Sequence, residues 1–419
     1  MLIEMAVANF RSIRDEQRLS LVAGLGKELA ETNTFDAPTV EAAKPFTLLR
    51  SAAIYGPNAA GKSNFLKAFG TMRRIVLTSA TEFKQLPVVP FRFDSQTIAQ
   101  PSTFEVVVLI DGVRYQYGFR ATVERIIGEW LFAFPKGRSQ RWFERSLAER
   151  SAEENFQFGD KLIGDKDVWR RATRANALLL STAVQLNSRQ LKPLFDWFHN
   201  TLEFSGIHLS GLLTSLDCYL EGHNSRVIEF LRAADFAIST VRIDESSFDS
   251  SVDAILTGEP LKHPDLRHWK LYVGHRSGDQ PTVELELSDE SEGTQKMFAL
   301  AGPSIEALSG GHVLFVDELH DNLHPLLVRY LVGLFHSPET NPKGAQLIFT
   351  THETAILSQD VFRRDQIWFC ERDPAQATRL FPLTDFNPRK GLENLERSYL
   401  SGRYGALPYL KRLSEAFAA

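Results

Sequence analysis

The sequence contains few cysteines, no excess of positive charge and no long uncharged apolar run. Cys218 and Cys370 are the only cysteines among 419 residues, which excludes a disulfide framework and metal sites built from cysteine pairs. Lysine and arginine number 47 against 52 aspartates and glutamates, so the formal net charge of −5 provides no chain-wide field that would attract nucleic acid or an anionic membrane. The N-terminus has no basic region, and residues 297–316, the least charged long stretch, include glycines, a proline and a glutamate. We therefore expect no signal peptide, no membrane span and a cytoplasmic location.

The sequence does have an ordinary globular composition, with 43% apolar and 24% charged residues. This composition excludes a wholly disordered or coiled-coil chain, and the length predicts about two to three domains or one domain with a large insertion. Short apolar strands alternate with helices near both ends of the chain, whereas the middle shows strand patterns and then helical periodicity. We therefore predict an α/β fold with a mixed sheet. Residues 1–86 and 289–419 would form the core, and residues 87–288 an inserted lobe made of a β-meander and helices.

Local patterns also predict particular elements. Residues 19–23 are expected to form a strand and residues 191–204 a single helix. Asp111-Gly112, between two alternating segments, predicts a two-residue hairpin turn. Gly302-Pro303 is expected to kink or restart the helix that begins near Lys296, because proline lacks the N–H that a helix interior requires.

A glycine-rich segment lies between a predicted strand, Ser51–Tyr55, and a helix that begins at Lys62. It satisfies the pattern GxxxxGK[ST], whose glycines let successive backbone N–H groups point inward around a phosphate, while the helix N-terminus adds partial positive charge. Lys62 would then reach the β- and γ-phosphate oxygens, and Ser63 would offer its hydroxyl to Mg²⁺. The residues of this predicted phosphate cradle are Gly56, Pro57, Asn58, Ala59, Ala60, Gly61, Lys62 and Ser63.

Two further apolar strands end in residues suited to phosphoryl transfer. One strand precedes Asp317 and Glu318, and the next along the chain precedes His352. Because the carboxyl ends of strands in an α/β sheet face the ligand, we expect Asp317 to hold Mg²⁺ and Glu318 to polarise the attacking water. His352 would hydrogen-bond the γ-phosphate and sense its loss. Lys62, Glu318 and His352 are therefore the predicted catalytic residues.

Two serine–glycine segments compete for the role of a second anion-binding loop. Residues 308–312 resemble the LSGGQ signature of ABC-type ATPases, but only eight residues separate the first of them from Asp317, too few for the helix that must intervene. Residues 291–295 are followed by a helical stretch of suitable length. The hydroxyl of Ser291 and the N–H of Gly293 at a helix start would bind an anion. We therefore favour residues 291–295 and interpret Gly310-Gly311 as a turn into the next strand.

Other patterns admit competing interpretations. His320 and His324 are four residues apart, as in helical zinc sites, but a loop is expected here and the sequence departs from HExxH. Basic residues beside Trp142 and Phe143, and a second group in the helical part of the lobe, would suit nucleic acid or an acidic protein, although most such clusters are solvated. The basic residues concerned are Lys136, Arg138, Arg141, Arg170, Arg171 and Arg174.

With these residues in place, the chain resembles the ABC-type ATPases of the RecF and SMC group. Within that group it is similar to the AAA-like branch related to the OLD proteins, including the RloA and AbiL-type ATPases of bacterial phage-defence loci. The resemblance implies an ABC-type P-loop NTPase head that binds ATP and Mg²⁺ and hydrolyses ATP to ADP and phosphate. The motifs that carry it are Asn9-Phe10-Arg11-Ser12, Tyr55 to Asn58, Gly61 to Asn64, Ser291 to Gln295, Asp317 to Leu319, Leu323-His324-Pro325, Thr351-His352 and Gly402 to Pro408.

The resemblance also implies how the site is completed. Two copies of the chain would form a homodimer, or part of a higher homo-oligomer, with ATP between the cradle of one copy and the Ser291–Gln295 loop of the other. Arg11, Ser12 and Asn64 would lie near the nucleotide. The segment 323–325 would form the D-loop at the dimer seam.

The chain departs from this group in two respects. It contains no long coiled coil of the SMC kind, and the 67 residues after His352 are too few for the nuclease domain that OLD proteins carry. We therefore expect a co-encoded effector, a nuclease or toxin, as the partner that an ATP-driven switch controls in phage defence. The alternatives are a RecF-like repair or loader ATPase that binds DNA, and the nucleotide-binding subunit of a transporter, which the large lobe disfavours. The Q-loop glutamine stays open between Gln85 and Gln185.

Overall fold

The computed structural model describes residues 1–38, 46–82, 84–148, 154–205, 210–234, 236, 238–245, 269–276, 281–389, 391 and 393–408. The chain divides into two compact units. One comprises Leu2–His199 and Thr350–Ala419 and is called the P-loop unit below; the other comprises Asn200–Phe349, with Met1, and is called the middle unit. These limits differ from those of the three predicted segments, and the division into core and inserted lobe stays a prediction.

Both units contain strands and helices. The strands are β1 (Leu2–Ala8), β2 (Gln17–Ser20), β3 (Thr34–Asp36), β4 (Thr47–Leu49), β5 (Ser51–Tyr55), β6 (Ser102–Ile110), β7 (Val113–Ala121), β8 (Ile126–Phe134), β9 (Gln140–Leu147), β10 (Glu154–Phe158), β11 (Leu202–Ser205), β12 (Ile238–Glu245), β13 (Trp269–His275), β14 (Val283–Glu286), β15 (Val313–Val316), β16 (Gln346–Thr351), β17 (Ile367–Arg372) and β18 (Thr378–Pro382). The helices are α1 (Ala30–Asn33), α2 (Lys62–Thr78), α3 (Ser95–Ile98), α4 (Lys166–Ala172), α5 (Leu179–Gln185), α6 (Lys192–Asn200), α7 (Ser210–Cys218), α8 (Asn224–Ala233), α9 (Glu292–Gly310), α10 (Pro325–His336) and α11 (Leu395–Leu400).

A seven-stranded antiparallel sheet forms much of the P-loop unit, in the order β10-β9-β8-β7-β6-β1-β2. Strand β6, near its centre, alternates between buried and partly exposed side chains over most of its length, the pattern of a strand with one face on a core. Asp111 and Gly112 both have positive φ, 48° and 76°, and connect β6 to β7 as the predicted two-residue turn. The meander therefore continues directly from the N-terminal strands β1 and β2.

Strands β5, β17 and β18 of the P-loop unit position the glycine-rich segment. β5 pairs in parallel with β17, and β17 pairs antiparallel with β18, so the predicted mixed α/β fold is confirmed. All five residues of β5 are buried, as expected for a strand covered on both faces. Helix α2 follows the glycine-rich loop and buries the predicted stripe of Phe65, Leu66, Phe69 and Met72.

The middle unit contains a parallel arrangement of β11, β15 and β16, together with an antiparallel sheet of β12, β13 and β14. The four residues of β15 are buried. Strand β16 begins in the middle unit, and its last residues belong to the P-loop unit. Thus the chain passes from one unit to the other immediately before His352.

Helix α9 is a single helix from Glu292 to Gly310 although Pro303 lies inside it, so of the kink or restart predicted at Gly302-Pro303 the restart is wrong and the kink stays a prediction. The hydroxyl of Ser215 on α7 donates to the carbonyl of Phe298 at 2.7 Å and accepts from the N–H of Gly302 at 2.8 Å. It therefore bridges the two backbone groups that an ordinary helix would pair directly. This insertion requires α7 to approach closely, and a Cβ on Gly302 would overlap the backbone of Ser215.

Other predicted elements need smaller corrections. Residues 191–204 form α6 and then strand β11 instead of one helix, because Leu202–Ser205 pairs in parallel with β15. The strand predicted at 19–23 lies at Gln17–Ser20, where it pairs with β1. The helical periodicity of residues 225–237 also predicts a helix over that range, but α8 ends at Ala233, and residues 235 and 237 lie outside the described residues. In the first two cases, strand pairing overrides a short apolar pattern.

Candidate functional site

The glycine-rich loop has the backbone of an anion-binding nest. Gly56, Ala59 and Gly61 have positive φ values of 154°, 62° and 108°, and Gly61 is the N-cap of α2. Such a backbone turns successive N–H groups towards one side, and the N-terminus of a 17-residue helix adds partial positive charge. Asn58 and Ala59 are exposed at the tip of the loop. This backbone conformation is typical of a phosphate-binding loop.

The predicted catalytic lysine and histidine lie beside each other in the P-loop unit. Lys62 is only 3% exposed, and its Nζ donates to the carbonyl oxygens of Gly56 at 2.9 Å and Pro57 at 3.2 Å. The same Nζ lies 3.3 Å from Nε2 and 3.5 Å from Nδ1 of His352, which follows β16. An ammonium group cannot accept a hydrogen bond, so an imidazole nitrogen that it bonds must be unprotonated. The ammonium group of Lys62 and the ring of His352 therefore lie next to each other, beside the phosphate loop.

The back of the loop packs against the hairpin of β17 and β18. A Cβ on Gly56 would overlap the carbonyl oxygen of Cys370, and a Cβ on Gly61 would overlap the hydroxyl of Thr378. The thiol of Cys370 lies 3.5 Å from the carbonyl oxygen of Ala60, and burial raises its pKa to about 12. Both loop glycines are therefore required by contacts behind the loop as well as by φ.

The turn that contains Asn9, Arg11 and Ser12 also packs beside the phosphate loop. Asn9 and Arg11 have positive φ values of 50° and 51°, and the Asn9 side chain donates to the carbonyls of Thr97 and Gln100. Arg11 is exposed, with its guanidinium 5.5 Å from the ring of Phe10. A nucleotide contact by Arg11 stays a prediction.

Ser12 and Asn64 were predicted near the nucleotide, and the structure places their polar groups in hydrogen bonds to the protein. The hydroxyl of Ser12, 4% exposed, accepts from Nδ2 of Asn64 at 2.8 Å and lies 2.7 Å from the hydroxyl of Thr378. These contacts engage both side chains behind the loop. Sequence reasoning did not identify Thr378, because nothing in its local pattern distinguishes it from an ordinary strand residue.

In the middle unit, the two predicted carboxylates follow β15 directly. Asp317 and Glu318 are both half-buried, and Glu318 has a positive φ of 51°, which is uncommon for a residue with a side chain. Such a conformation costs about 1–3 kcal/mol and is typical of functional sites. Oε2 of Glu318 lies 3.5 Å from Nδ1 of His320, which orients the carboxylate.

Helix α9 begins at the favoured serine–glycine segment. Ser291 is exposed and is the N-cap of α9, and its hydroxyl accepts from the N–H of Thr294 at 3.2 Å. A Cβ on Gly293 would lie 2.9 Å from the carbonyl oxygen of Asn322, in the turn after Glu318. The positive end of the helix dipole and this close packing both require the observed residue types.

The competing segment lies at the opposite end of the same helix. Ser309 is in the last turn of α9, where its hydroxyl accepts from Arg226 at 3.3 Å, and Gly311 is the C-cap with a φ of 73°. A helix C-terminus presents carbonyl oxygens, which repel a phosphate. This geometry agrees with the interpretation of Gly310-Gly311 as a turn.

Lys296, near the start of α9, interacts electrostatically with the carboxylates that follow β15. Burial lowers the pKa of its ammonium group, and the negative charges of Asp321, Asp317 and Glu318 oppose that effect. Lys296 is thus the cation that compensates the acidic turn within the middle unit. No local sequence pattern distinguishes Lys296 from an ordinary helix residue.

The zinc interpretation of His320 and His324 receives no support from their surroundings. Nδ1 of His324 accepts from the N–H of Leu326 at 3.2 Å, so His324 is the N-cap of α10, with Pro325 at the first helical position. His320 contacts Glu318 instead. The two histidines therefore stand in different local roles on a turn, not on one helical face.

The aromatic residues of the suggested nucleic-acid patch are in the core. Trp142 is 6% exposed and Phe143 is fully buried, so neither can stack on a base. Arg170 pairs with Asp167 at 3.2 Å, and Arg174 donates to the backbone carbonyls at the end of α2. These side chains serve the fold, and a nucleic-acid contact stays a prediction without structural support.

The C-terminal motif packs behind β17. The ring of Tyr404 stacks on Phe369 at a centroid distance of 5.4 Å, and its hydroxyl donates to Glu393 at 2.5 Å. The N–H of Ala406 donates to Glu371 at 3.1 Å. The motif therefore packs against β17, the strand that carries Cys370.

The Q-loop glutamine is not decided by the structure. Gln85 and Gln185 are both exposed, and the Q-loop assignment stays open.

A phosphate nest before a helix, with a buried lysine and a histidine at its mouth, defines an ATPase of the P-loop class. The chain belongs to the family described as "AAA domain, putative AbiEii toxin, Type IV TA system", which matches residues 51–358. The predicted AAA-like class is therefore confirmed, while the narrower likeness to RloA and AbiL stays a prediction. P-loop ATPases typically use ATP with Mg²⁺, and the hydroxyl of Ser63 and the carboxylate of Asp317 are oxygen ligands of the kind that Mg²⁺ prefers.

Solved structures with some likeness to the chain include two SMC head domains. One is from Thermotoga maritima, at 13% identity and a TM-score of 0.38, covering 91% of this chain and 98% of that chain. The other is from Pyrococcus furiosus, with an extended coiled coil and bound to the C-terminal domain of ScpA, at 10% identity and a TM-score of 0.39, covering 92% and 97%. No curated protein sequence matches the chain. Among the described residues, no helix has the length and apolar character needed to cross a membrane.

Proposed function

We propose that the protein is an ATP-hydrolysing switch in which ATP closes a pair of chains and hydrolysis reopens it. The observation that carries this proposal is the approach of Lys62 Nζ to within 3.3 Å of His352 Nε2 at the mouth of the loop. A lysine that reaches the β- and γ-phosphates and a histidine beside it would both respond to the presence of the γ-phosphate.

In this proposal each side chain has a separate task. The loop N–H groups and Lys62 bind the phosphates, and His352 contacts the γ-phosphate. Glu318 accepts a proton from the attacking water, a general-base contribution of about 10²–10⁴ in rate. Ser63 and Asp317 would hold Mg²⁺, which neutralises phosphate charge when bound.

Pairing of two chains is proposed from the exposed start of α9. Ser291 and Glu292 are exposed, and Leu326, at the start of α10, is 67% exposed although it is a large apolar residue. A helix N-terminus that points to solvent is available to a phosphate bound by another copy. The proposed dimer therefore places ATP between the cradle of one copy and Ser291 of the other.

The biological role that we propose is control of a co-encoded effector, a nuclease or toxin, in defence against phage. The family description, which names a putative toxin and a Type IV TA system, supports such a role. The burial of Trp142 and Phe143 makes a direct nucleic-acid function less well supported.

Two substitutions test the switch. Lys62→Ala should lose ATP binding, measured with a fluorescent analogue, while Lys192→Ala, at a lysine that is 59% exposed and pairs with Asp196, should bind normally. Glu318→Gln should bind ATP, hydrolyse it at least about 10²-fold more slowly and accumulate as an ATP-dependent dimer in light scattering. The exposed Glu144→Gln is its matched control. Normal turnover by Glu318→Gln would remove Glu318 from the proposed role.

The effector role has its own test. Cells that carry the gene with its neighbouring reading frame should resist phage, and Glu318→Gln should alter that resistance. Resistance that is independent of the neighbour would contradict control of a co-encoded effector. Duplex DNA binding by the purified chain that depends on ATP would instead favour the RecF-like alternative.

A further inference from the structure

Two buried hydroxyl groups from distant parts of the sequence lie directly behind the phosphate loop. Ser12 is 4% exposed and Thr378, the first residue of β18, is 1% exposed, and both belong to the P-loop unit. Buried hydroxyls require hydrogen-bond partners, because an unsatisfied one costs about 1–3 kcal/mol. Apart from each other, these two hydroxyls have hydrogen-bond partners in the phosphate loop and in the first turn of the helix that follows it.

The hydroxyls belong to a continuous hydrogen-bonded chain. Nδ2 of Asn64, in the first turn of α2, lies 2.8 Å from Oγ of Ser12, which lies 2.7 Å from Oγ1 of Thr378. Oγ1 of Thr378 lies 2.9 Å from the carbonyl oxygen of Ala60 in the loop. The backbone N–H of Thr378 also donates to the carbonyl of Ser12 at 2.7 Å, which fixes the two segments side by side.

The hydroxyl of Thr378 is the donor that joins the two segments. Its Oγ1 is placed to donate to Oγ of Ser12 and to the carbonyl oxygen of Ala60, and its single proton serves one of these acceptors at a time. Oγ of Ser12 also accepts from Nδ2 of Asn64, whose nitrogen only donates. The chain thus connects the start of α2 back to the carbonyl that precedes Gly61.

The backbone of the loop lies very close to both hydroxyls at Gly61. A Cβ on Gly61 would lie 2.7 Å from Oγ of Ser12 and would overlap Oγ1 of Thr378. Gly61 also has a φ of 108°, and its carbonyl accepts the helical hydrogen bond of Phe65 at 3.0 Å. A change in either hydroxyl therefore acts on the peptide units of Ala60 and Gly61, whose orientation sets that of the phosphate-facing N–H groups.

We propose that Thr378, together with Ser12, is a positioning residue for phosphate binding, holding the Ala60–Gly61 segment in its phosphate-binding conformation without contacting the nucleotide. This inference rests on the proposed ATPase function. It replaces the expected nucleotide contact of Ser12 with a role behind the loop, and it adds a residue that the family motifs do not contain.

The test compares variants that keep or remove the hydroxyl at constant size. Thr378→Val should raise the KM for ATP and the Kd of a fluorescent ATP analogue about tenfold, because the loss of one net hydrogen bond to Ala60 costs about 1.4 kcal/mol, which is a factor of ten. Ser12→Ala should act in the same direction, and Thr378→Ser should restore nearly normal values. Thr173→Val, which removes a buried hydroxyl bonded to Trp169 at 2.7 Å in α4, is the matched control.

A second measurement needs no nucleotide. Hydrogen exchange of peptides that cover residues 56–64 should be faster in Thr378→Val than in wild type and in Thr173→Val, when each is measured at equal distance below its own Tm. A merely structural threonine would lower Tm without changing exchange in this segment or the Kd.

The outcomes separate the two proposals. Wild-type protein that fails to bind ATP overturns the proposed function and this inference with it. Wild-type protein that binds ATP, together with a Thr378→Val variant whose Kd, KM and loop exchange match those of Thr173→Val, overturns only the inference. A Thr378→Ser variant as impaired as Thr378→Val would also overturn it, since the hydroxyl would then not be the cause.

Discussion

Gly56, the first residue of the phosphate loop, allows the most direct quantitative test of the site. Its φ is 154°, and a Cβ built there would overlap the carbonyl oxygen of Cys370 and lie 3.0 Å from the carbonyl carbon. Both atoms belong to the backbone of β17, which pairs with β5 and β18 and cannot rotate away as a side chain would. In a Gly56→Ala variant the loop itself must therefore move.

The size of that movement follows from the contact distances. Carbon atoms pack best at about 3.5–4.0 Å, so the Cβ and the carbonyl carbon must separate by about 0.5–1 Å. A displacement of about 1 Å at a reacting centre costs about 10²-fold in rate. We therefore expect Gly56→Ala to lower kcat/KM for ATP by about 10²-fold, chiefly through weaker ATP binding, since the nest no longer matches the phosphate.

The matched control is Gly222→Ala. Gly222 also has positive φ, 94°, but nothing lies within 4 Å of a Cβ built there. This control isolates the backbone strain of about 1–3 kcal/mol from the contact with Cys370. Steady-state hydrolysis and titration with a fluorescent ATP analogue measure the effect, and urea unfolding checks stability. Gly56→Ala with wild-type affinity for ATP would refute the argument that β17 sets the position of the loop.

Three further predictions follow from the described geometry. Ser291→Arg should abolish ATP hydrolysis while Ser309→Ala leaves it intact, because only the N-terminus of α9 attracts phosphate, and the reverse order in a hydrolysis assay would refute the assignment. Burial raises the pKa of Cys370 to about 12, so at about pH 8 its thiolate fraction is about a thousandth of that of an ordinary thiol of pKa 9.0. Native alkylation by iodoacetamide, followed by mass spectrometry, should accordingly be at least about 10³-fold slower than in urea, and rapid labelling would contradict the buried position. Burial also raises the pKa of Glu129, so the folded state binds this proton more tightly than the unfolded state, and the associated stability is lost as pH rises from the ordinary carboxyl value of 4.5 through the raised pKa. The free energy of unfolding of wild type minus that of Glu129→Gln, from urea titrations, should thus fall with rising pH, and a constant or rising difference would show that burial does not dominate.

Much of the candidate site could be predicted because its chemistry is local in sequence. The spacing of Gly56, Gly61 and Lys62 requires a strand before it and a helix after it, and both are present as β5 and α2. The two carboxylates after β15 follow from the same logic, since a short apolar strand ends where polar residues begin. The choice of Ser291 over Ser309 follows from the spacing to Asp317 and from the helix start expected after Ser291, and the single helix α9 places the two serines at opposite ends.

Other features could not be predicted from local patterns. The pairing of Leu202–Ser205 with β15 converted the end of an apparent helix into a strand, because hydrogen bonds to a neighbouring strand outweigh a weak helical period over four residues. Pro303 did not interrupt α9; just before it, the hydroxyl of Ser215 from another helix bridges the carbonyl of Phe298 and the N–H of Gly302. The basic residues beside Trp142 and Phe143 suggest an exposed aromatic patch, but the β-meander buries both aromatic side chains.

The class of chemistry follows from residues that are close together in the sequence: a glycine-rich loop before a helix, with lysine and serine at its end, binds phosphate wherever the backbone N–H groups are presented. The contacts that hold this loop in place come from distant segments that only folding brings together. Cys370, Thr378 and Ser12 lie far from it in sequence and reach it through strand pairing. Backbone conformation and helix polarity depend on residues that are neighbours in the sequence. Close packing and hydrogen bonds between distant segments are long-range interactions, and they exist only once the chain has folded.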